Sequence, residues 1–189
     1  MKKDFIISAI LEQHKSGIES RNLGTIELKN EVMVSDPCYD LGTWCQGIVG
    51  GVKAGKYNAF AIITDEGSWG ERVAELIVIH EDADINEITD ELDFEVGVDS
   101  GQAGIFNLDY YKEHQPDDDY DNRKSWYRRV CDITCSDGDC GTIDNEGVVS
   151  SSGYGDGGYV CYAAYNKENE IVALRVVFIE DYEEDEDEY

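Results

Sequence analysis

Basic residues are scarce in this chain: 15 Lys and Arg stand against 42 Asp and Glu in 189 residues, a formal net charge of −27. A surface of that sign repels nucleic acid and anionic membranes, which argues against direct contact with either. The one basic island, Arg123, Lys124, Arg128 and Arg129, is small and is expected to pair with nearby Asp residues. Long apolar runs are also missing, and none reaches the roughly 18 residues needed to span a bilayer. The opening Met1–Leu11 has a charged start, but Asp4 interrupts it and no clean small-residue cleavage site follows. That pattern points to a cytoplasmic protein. Three His, at 14, 80 and 114, leave little room for imidazole chemistry, and none sits visibly beside a cysteine. A Cys/His hydrolase is therefore disfavoured.

What the chain does contain is enough apolar matter for a core, 41% of residues, together with 19 Gly, 12 Tyr and only two Pro. This composition favours a turn-rich β protein over a helical bundle or a disordered acidic chain. The expected fold is α+β: a mainly antiparallel β-sheet domain, sandwich or open barrel, with a short N-terminal helix. Residues 1–23 read as a helix or arm, with helical spacing of Phe5, Ile6, Ala9 and Ile10 over 4–20. Residues 24–179 read as one domain. A hairpin is expected from 57–64 and 72–80, and three late strands from 147–151, 159–165 and 171–179. Residues 180–189 hold eight acids in ten and read as a solvated, disordered tail.

Six cysteines invite a metal reading. Cys131, Cys135 and Cys140 lie within ten residues around a Gly/Asp turn. Zinc favours four thiolate or imidazole ligands in a tetrahedron, and Cys161 is the expected fourth, with Cys38, Cys45 or His114 as other choices. The C-x3-C-x4-C spacing is not the paired C-x2-C of a zinc finger, so one structural zinc stands beside the alternative of free thiols. Asp117-Asp118-Asp119-Tyr120-Asp121-Asn122 begins like a calcium loop but lacks the sixth-place Gly and twelfth-place Glu. The Gly-rich stretch 150–159 lacks the Lys-Ser/Thr of a phosphate-binding loop and suits a tight turn before a strand. No catalytic residue is nominated.

Two segments carry a resemblance. Gly97-Val98-Asp99-Ser100-Gly101-Gln102-Ala103-Gly104 reads G-x-D-x-G, and Ser152-Gly153-Tyr154-Gly155-Asp156-Gly157-Gly158-Tyr159 reads S-G-x-G-D-G-x-Y. Together they resemble an uncharacterised bacterial and phage family of domains of unknown function, over roughly 24–179. Ser35-Asp36-Pro37-Cys38-Tyr39 is similar to its phage-borne members. The resemblance implies a compact, mainly β domain and supplies no catalytic residue. In character, the chain also resembles the acidic inhibitors that phages deploy against bacterial nucleases, anti-CRISPR proteins among them. The expected function is thus a non-enzymatic acidic inhibitor, or DNA mimic, seated on a basic nucleic-acid-binding surface, best of all that of a type II CRISPR effector. The expected binding residues are Glu81, Asp82, Asp84, Glu87, Asp90, Glu91 and Asp93, or Asp117, Asp118, Asp119 and Asp121, with Trp69 or Trp126 as an aromatic anchor. The alternatives are a metal-dependent hydrolase, and an immunity or housekeeping module for another basic partner.

Overall fold

The computed structural model describes residues 2–114 and 119–180. Asp117, Asp118 and the acidic tail from 181 onward lie outside the described residues. The strands form two antiparallel sheets, and neither closes into a barrel. The larger sheet holds β1 (Gly17–Leu28), β4 (Gly55–Asp65), β5 (Glu71–His80), β6 (Asp90–Val98), β10 (Gly157–Tyr165) and β11 (Ile171–Val177), in the order β1-β4-β5-β11-β10-β6. The smaller holds β2 (Glu31–Ser35), β3 (Gly47–Gly50), β7 (Gln102–Asn107), β8 (Cys140–Ile143) and β9 (Gly147–Ser151), in the order β3-β2-β7-β9-β8.

Alternation along the strands explains why the sheets stack. In β4, Tyr57, Ala59, Ala61 and Ile63 point one way, into a core shared with Val32, Val34, Ala103, Ile105 and Val148 of the smaller sheet. Phe60 and Ile62 point the other way and meet the helix α1 (Lys2–Gln13) through Ile6, Ile7 and Ile10. Ile85 and Ile88, from the segment before β6, complete that outer layer. The outer face of the smaller sheet, with Met33, Phe106 and Val149, is covered by α2 (Leu108–His114) and α3 (Trp126–Thr134). The domain is a β-sandwich with a helical layer on each outer side. Both faces of the central strands are buried, so β5 is buried without a break from Val73 to His80 and is apolar there except for Glu75 and His80.

The expected short N-terminal helix is present, but it ends earlier than the 4–20 reading. The helix stops at Gln13, Phe5 lies exposed, and the chain turns at His14–Gly17 into β1, which pairs along β4 from Gly17 to Leu28. Gly17 is needed at that turn, because a Cβ there would sit 2.8 Å from the Leu11 carbonyl oxygen. In the acidic stretch, 81–89 is turn and loop, and Asp90 opens an edge strand.

A buried ion cluster fastens α1 to the sheet. In the β4–β5 ladder Ile62 faces Glu75 while Ile63 faces Val73, which leaves Ala74 as a bulge. The bulge keeps Glu75 on the outer face, where it is fully buried. Arg175 Nε and Nη2 donate to the two Glu75 oxygens at 2.5 and 2.6 Å, and His14 Nε2 lies 2.7 Å from Oε1. Removing one partner of such a cluster strands a buried charge, at a cost of about 3–5 kcal/mol, whereas removing both charges together is far milder. Arg175→Met is therefore expected to destabilise the domain by about 3–5 kcal/mol in urea unfolding, and Glu75→Met/Arg175→Met to recover at least half of that loss.

Candidate functional site

The family-like segments meet at one end of the sandwich, around a carboxylate with no solvent exposure. Asp36 follows β2. Its Oδ2 accepts the amide N–H groups of Asp99 and Ser100 at 2.9 and 2.8 Å. Its Oδ1 accepts the Cys38 amide and the Ser100 hydroxyl, both at 2.8 Å. The helical layer clamps the same loop: the Trp126 indole donates to the Pro37 carbonyl at 2.6 Å, and the Tyr111 hydroxyl donates to that of Tyr39 at 2.5 Å. The β6–β7 turn held by Asp36 then accepts the Ser152 amide at the Gly101 carbonyl, 3.0 Å away.

The turn that follows is built to hold itself rigid. Gly153 and Gly155 adopt positive φ of 56° and 114°, a conformation that L side chains rarely take. The Ser152 hydroxyl donates to the Gly155 carbonyl at 2.9 Å, and the Tyr159 hydroxyl donates to both Gly155 and Ser152. The effect is to hold Tyr154 outward. It is 54% exposed, its ring edge-stacks on the 63% exposed Trp69, 5.8 Å between centroids, and its hydroxyl donates to Glu66. That bond is the main reason the Glu66 carboxyl is held below its usual range.

A groove of about 450 Å³ runs from Glu66 and Tyr154 over Gly158, Tyr159 and Val160. Beyond it lies β6. Val160 pairs with Glu95 and Tyr162 with Glu91, so three residues of β6 oppose Cys161 alone and the strand bows off the sheet. A depression of about 420 Å³ opens there, lined by 91–95, Tyr159 and Val160. Leu92 and Phe94 turn inward onto the core, while Glu91, Asp93 and Glu95 are exposed. Extended backbone spaces such alternate residues by about 6–7 Å. Glu95 lies across Gly158, where a Cβ would sit 2.3 Å from its carboxyl carbon. The acidic row and the aromatic pair thus flank one surface.

Of the expected acidic residues, Glu81, Asp82, Asp84, Glu87, Asp90, Glu91 and Asp93 are all exposed, and no Lys or Arg falls within 81–95. Asp84 is engaged by Lys2. Asp119 and Asp121 are exposed in the loop before α3, the layer over the smaller sheet, and belong to a different surface. Trp126 is a buried core residue rather than an anchor. Glu95 and Tyr154 escaped the sequence reading. The period-two run of Glu91, Asp93 and Glu95 was the available signal for the first, and the glycines flanking Tyr154 for the second.

The four cysteines expected as zinc ligands do not gather. Cys161 is buried in the sandwich core, and burial pushes its thiol up to about 12. Cys135 is exposed as the C-cap of α3, and the Cys140 thiol donates to the Gly138 carbonyl. Cys131 instead shares the Gln102 side-chain amide with Cys38, which donates to them at 3.7 and 3.8 Å. Among the described residues, no three His, Cys, Asp or Glu side chains are grouped so as to hold a metal ion. Burial pushes the Cys38 thiol up to about 12, so it is protonated and a poor nucleophile at neutral pH. The basic island behaves as expected at two positions: Arg128 pairs with Asp132 at 2.7 Å and Arg129 with Asp144 at 2.5 Å.

The family model described as "Protein of unknown function (DUF4241)" matches residues 33–176, which include all three segments just described. The chain belongs to that family. No curated protein and no solved structure matches it. Among the described residues, no helix is long and apolar enough to cross a membrane.

Two outcomes follow from this geometry. Asp36→Ala leaves buried amide donors unpaired and is expected to cost about 3 kcal/mol in urea unfolding, while exposed Asp99→Ala stays within about 0.5 kcal/mol. In the native protein at pH 8, a maleimide should label Cys135 first and leave Cys38 and Cys161 unmodified, as read by peptide mass spectrometry.

Proposed function

We propose that this protein is a non-enzymatic acidic binding module that covers a basic, nucleic-acid-binding surface of another protein. The observation that carries this reading is the shared face of the Glu91, Asp93 and Glu95 row and the exposed Trp69–Tyr154 pair. Carboxylates about 6–7 Å apart offer roughly half the linear charge density of one nucleic-acid strand, which carries a phosphate every ~3.4 Å. Opposite charge steers encounter, and a rigid aromatic pair supplies the desolvated anchor from which hot spots are made. Charge on an edge strand also discourages edge-to-edge aggregation. That role accounts for the acids but not for two exposed rings held in place by a glycine turn.

The partner class is a basic nuclease, with the RNA-guided effector of a type II CRISPR system as the first purified candidate, because its channel is built to hold a heteroduplex backbone. On this reading the chain is a phage-type inhibitor that blocks DNA loading in the bacterial cytoplasm. The test begins with capture from bacterial lysate at low and moderate salt, with mass spectrometry of what binds, and continues as surface plasmon resonance on the purified partner. Glu91→Gln/Asp93→Asn/Glu95→Gln is expected to weaken binding about tenfold and flatten its salt dependence. Trp69→Ala is expected to weaken it at least tenfold. Binding that is indifferent to salt and to both variants sinks the proposal.

A further inference from the structure

Arg175 presents two edges, and Glu75 occupies only one. A guanidinium carries five N–H donors. Nε and one Nη2 hydrogen are committed to Glu75, and the Gln13 side-chain oxygen lies 3.4 Å from Nη2, at the limit of a hydrogen bond. Nη1 donates to no group among the described residues. Arg175 lines a cleft of about 390 Å³, together with its partners Glu75 and His14, between the end of α1, the 88–89 segment and the strands β10 and β11. The cleft size falls within the range used for small ligands.

The walls say what kind of ligand fits. The Tyr162 ring lies 5.8 Å from the Arg175 guanidinium carbon, and Ile88, Val177 and Ile179 supply apolar surface. Thr89 stands at the mouth, and exposed Glu180 also lines it. Fastening α1 needs no ion cluster, since apolar packing serves as well without the cost of desolvating charge. A guanidinium pinned along one edge and open along the other is instead preorganised for a planar, two-oxygen anion. Glu75 already offsets the Arg175 charge, and Glu180 repels a dianion, so a singly charged head is matched better than a phosphate.

We propose that this cleft binds a small monocarboxylate with an apolar or aromatic body. Its carboxylate takes the Nη1/Nη2 edge of Arg175 in place of the long Gln13 contact, and its body lies against Tyr162, Ile88 and Ile179. This site adjoins the acidic groove but does not depend on the role proposed for it.

Phenylacetate titrated into the full chain, followed by amide NMR, is the test. Saturable shifts are expected at Thr89 and Tyr162, with none from phenylacetamide, its uncharged counterpart. Arg175→Lys keeps a cation beside Glu75 but loses the second edge, and is expected to weaken binding at least tenfold. Thr89→Trp fills the mouth without touching the ion cluster, and should abolish the shifts even if the Arg175 variant fails to fold. Absence of saturable shifts, equal binding of phenylacetamide, undiminished binding to Thr89→Trp, or preferential binding of inorganic phosphate at the same amides would each overturn the proposal.

Discussion

A carboxylate taken fully out of water must be met by donors, and Asp36 meets four of them from two stretches of chain, Cys38 and the Asp99-Ser100 pair. The arrangement of the rest follows from that demand. Asp36 fixes the β6–β7 turn, whose Gly101 carbonyl takes the Ser152 amide. The next residue, Gly153, donates to Val73, beside the Ala74 bulge, and the Ala74 carbonyl accepts Phe178 and Ile179. One line of hydrogen bonds therefore runs from the end of the smaller sheet to the bulge that keeps Glu75 under α1. The segments around Asp36, Ser100 and Gly153 are thereby the stitching that fixes one end of the sandwich.

The stitching and the surface charge have separate structural origins. The glycine turn must be rigid for the two sheets to be joined there, and rigidity leaves Tyr154 standing in solvent with Trp69 against it. A loop already ordered loses little further entropy when it binds, so the scaffold preorganises the contact. The acidic row arises differently. It depends on β6 being an edge strand that bows away from β10, and its acids are exposed because nothing pairs beyond them. Scaffold and charge meet on one face only because β10 leads directly from the turn to the edge.

The late strands could be read from the sequence because each is a short apolar run ended by turn residues: Gly147–Ser151 has the expected bounds, and the turn at 166–169 leads β10 into β11. The first part of the long β1, residues 17–24, was hidden, since an edge strand exposed along most of its length shows neither apolar period clearly. The helix α3 was masked by attention to its cysteines and arginines. Its signal was present in the Ser125 cap and the spacing of Trp126, Val130 and Thr134. Asp36 could not be singled out among 42 acids, because what distinguishes it is burial among distant donors, and composition carries no trace of that. The cysteines show the same distance between sequence and space. Cys131 and Cys140 are near in sequence, yet the fold turns Cys131 toward Gln102 and Cys38, 64 residues from Gln102 in the chain.

Net charge sets which contacts can matter. With so few cations in the chain, those placed at structural points are committed: Arg175 to Glu75, Arg129 to Asp144 and Arg128 to Asp132. Among the described residues, most acids of the 81–95 stretch have no such counterpart, and their mutual repulsion is relieved either by salt or by a basic surface. Association with a cationic partner would then release repulsion already present in the free protein as well as form new contacts. Arg175 is the exception that gives the adjoining cleft its interest. In a chain that repels anions at long range, a guanidinium shielded from solvent and held by Glu75 is one of the few places where short-range geometry can outweigh the global field, and it does so for a ligand of one negative charge rather than two.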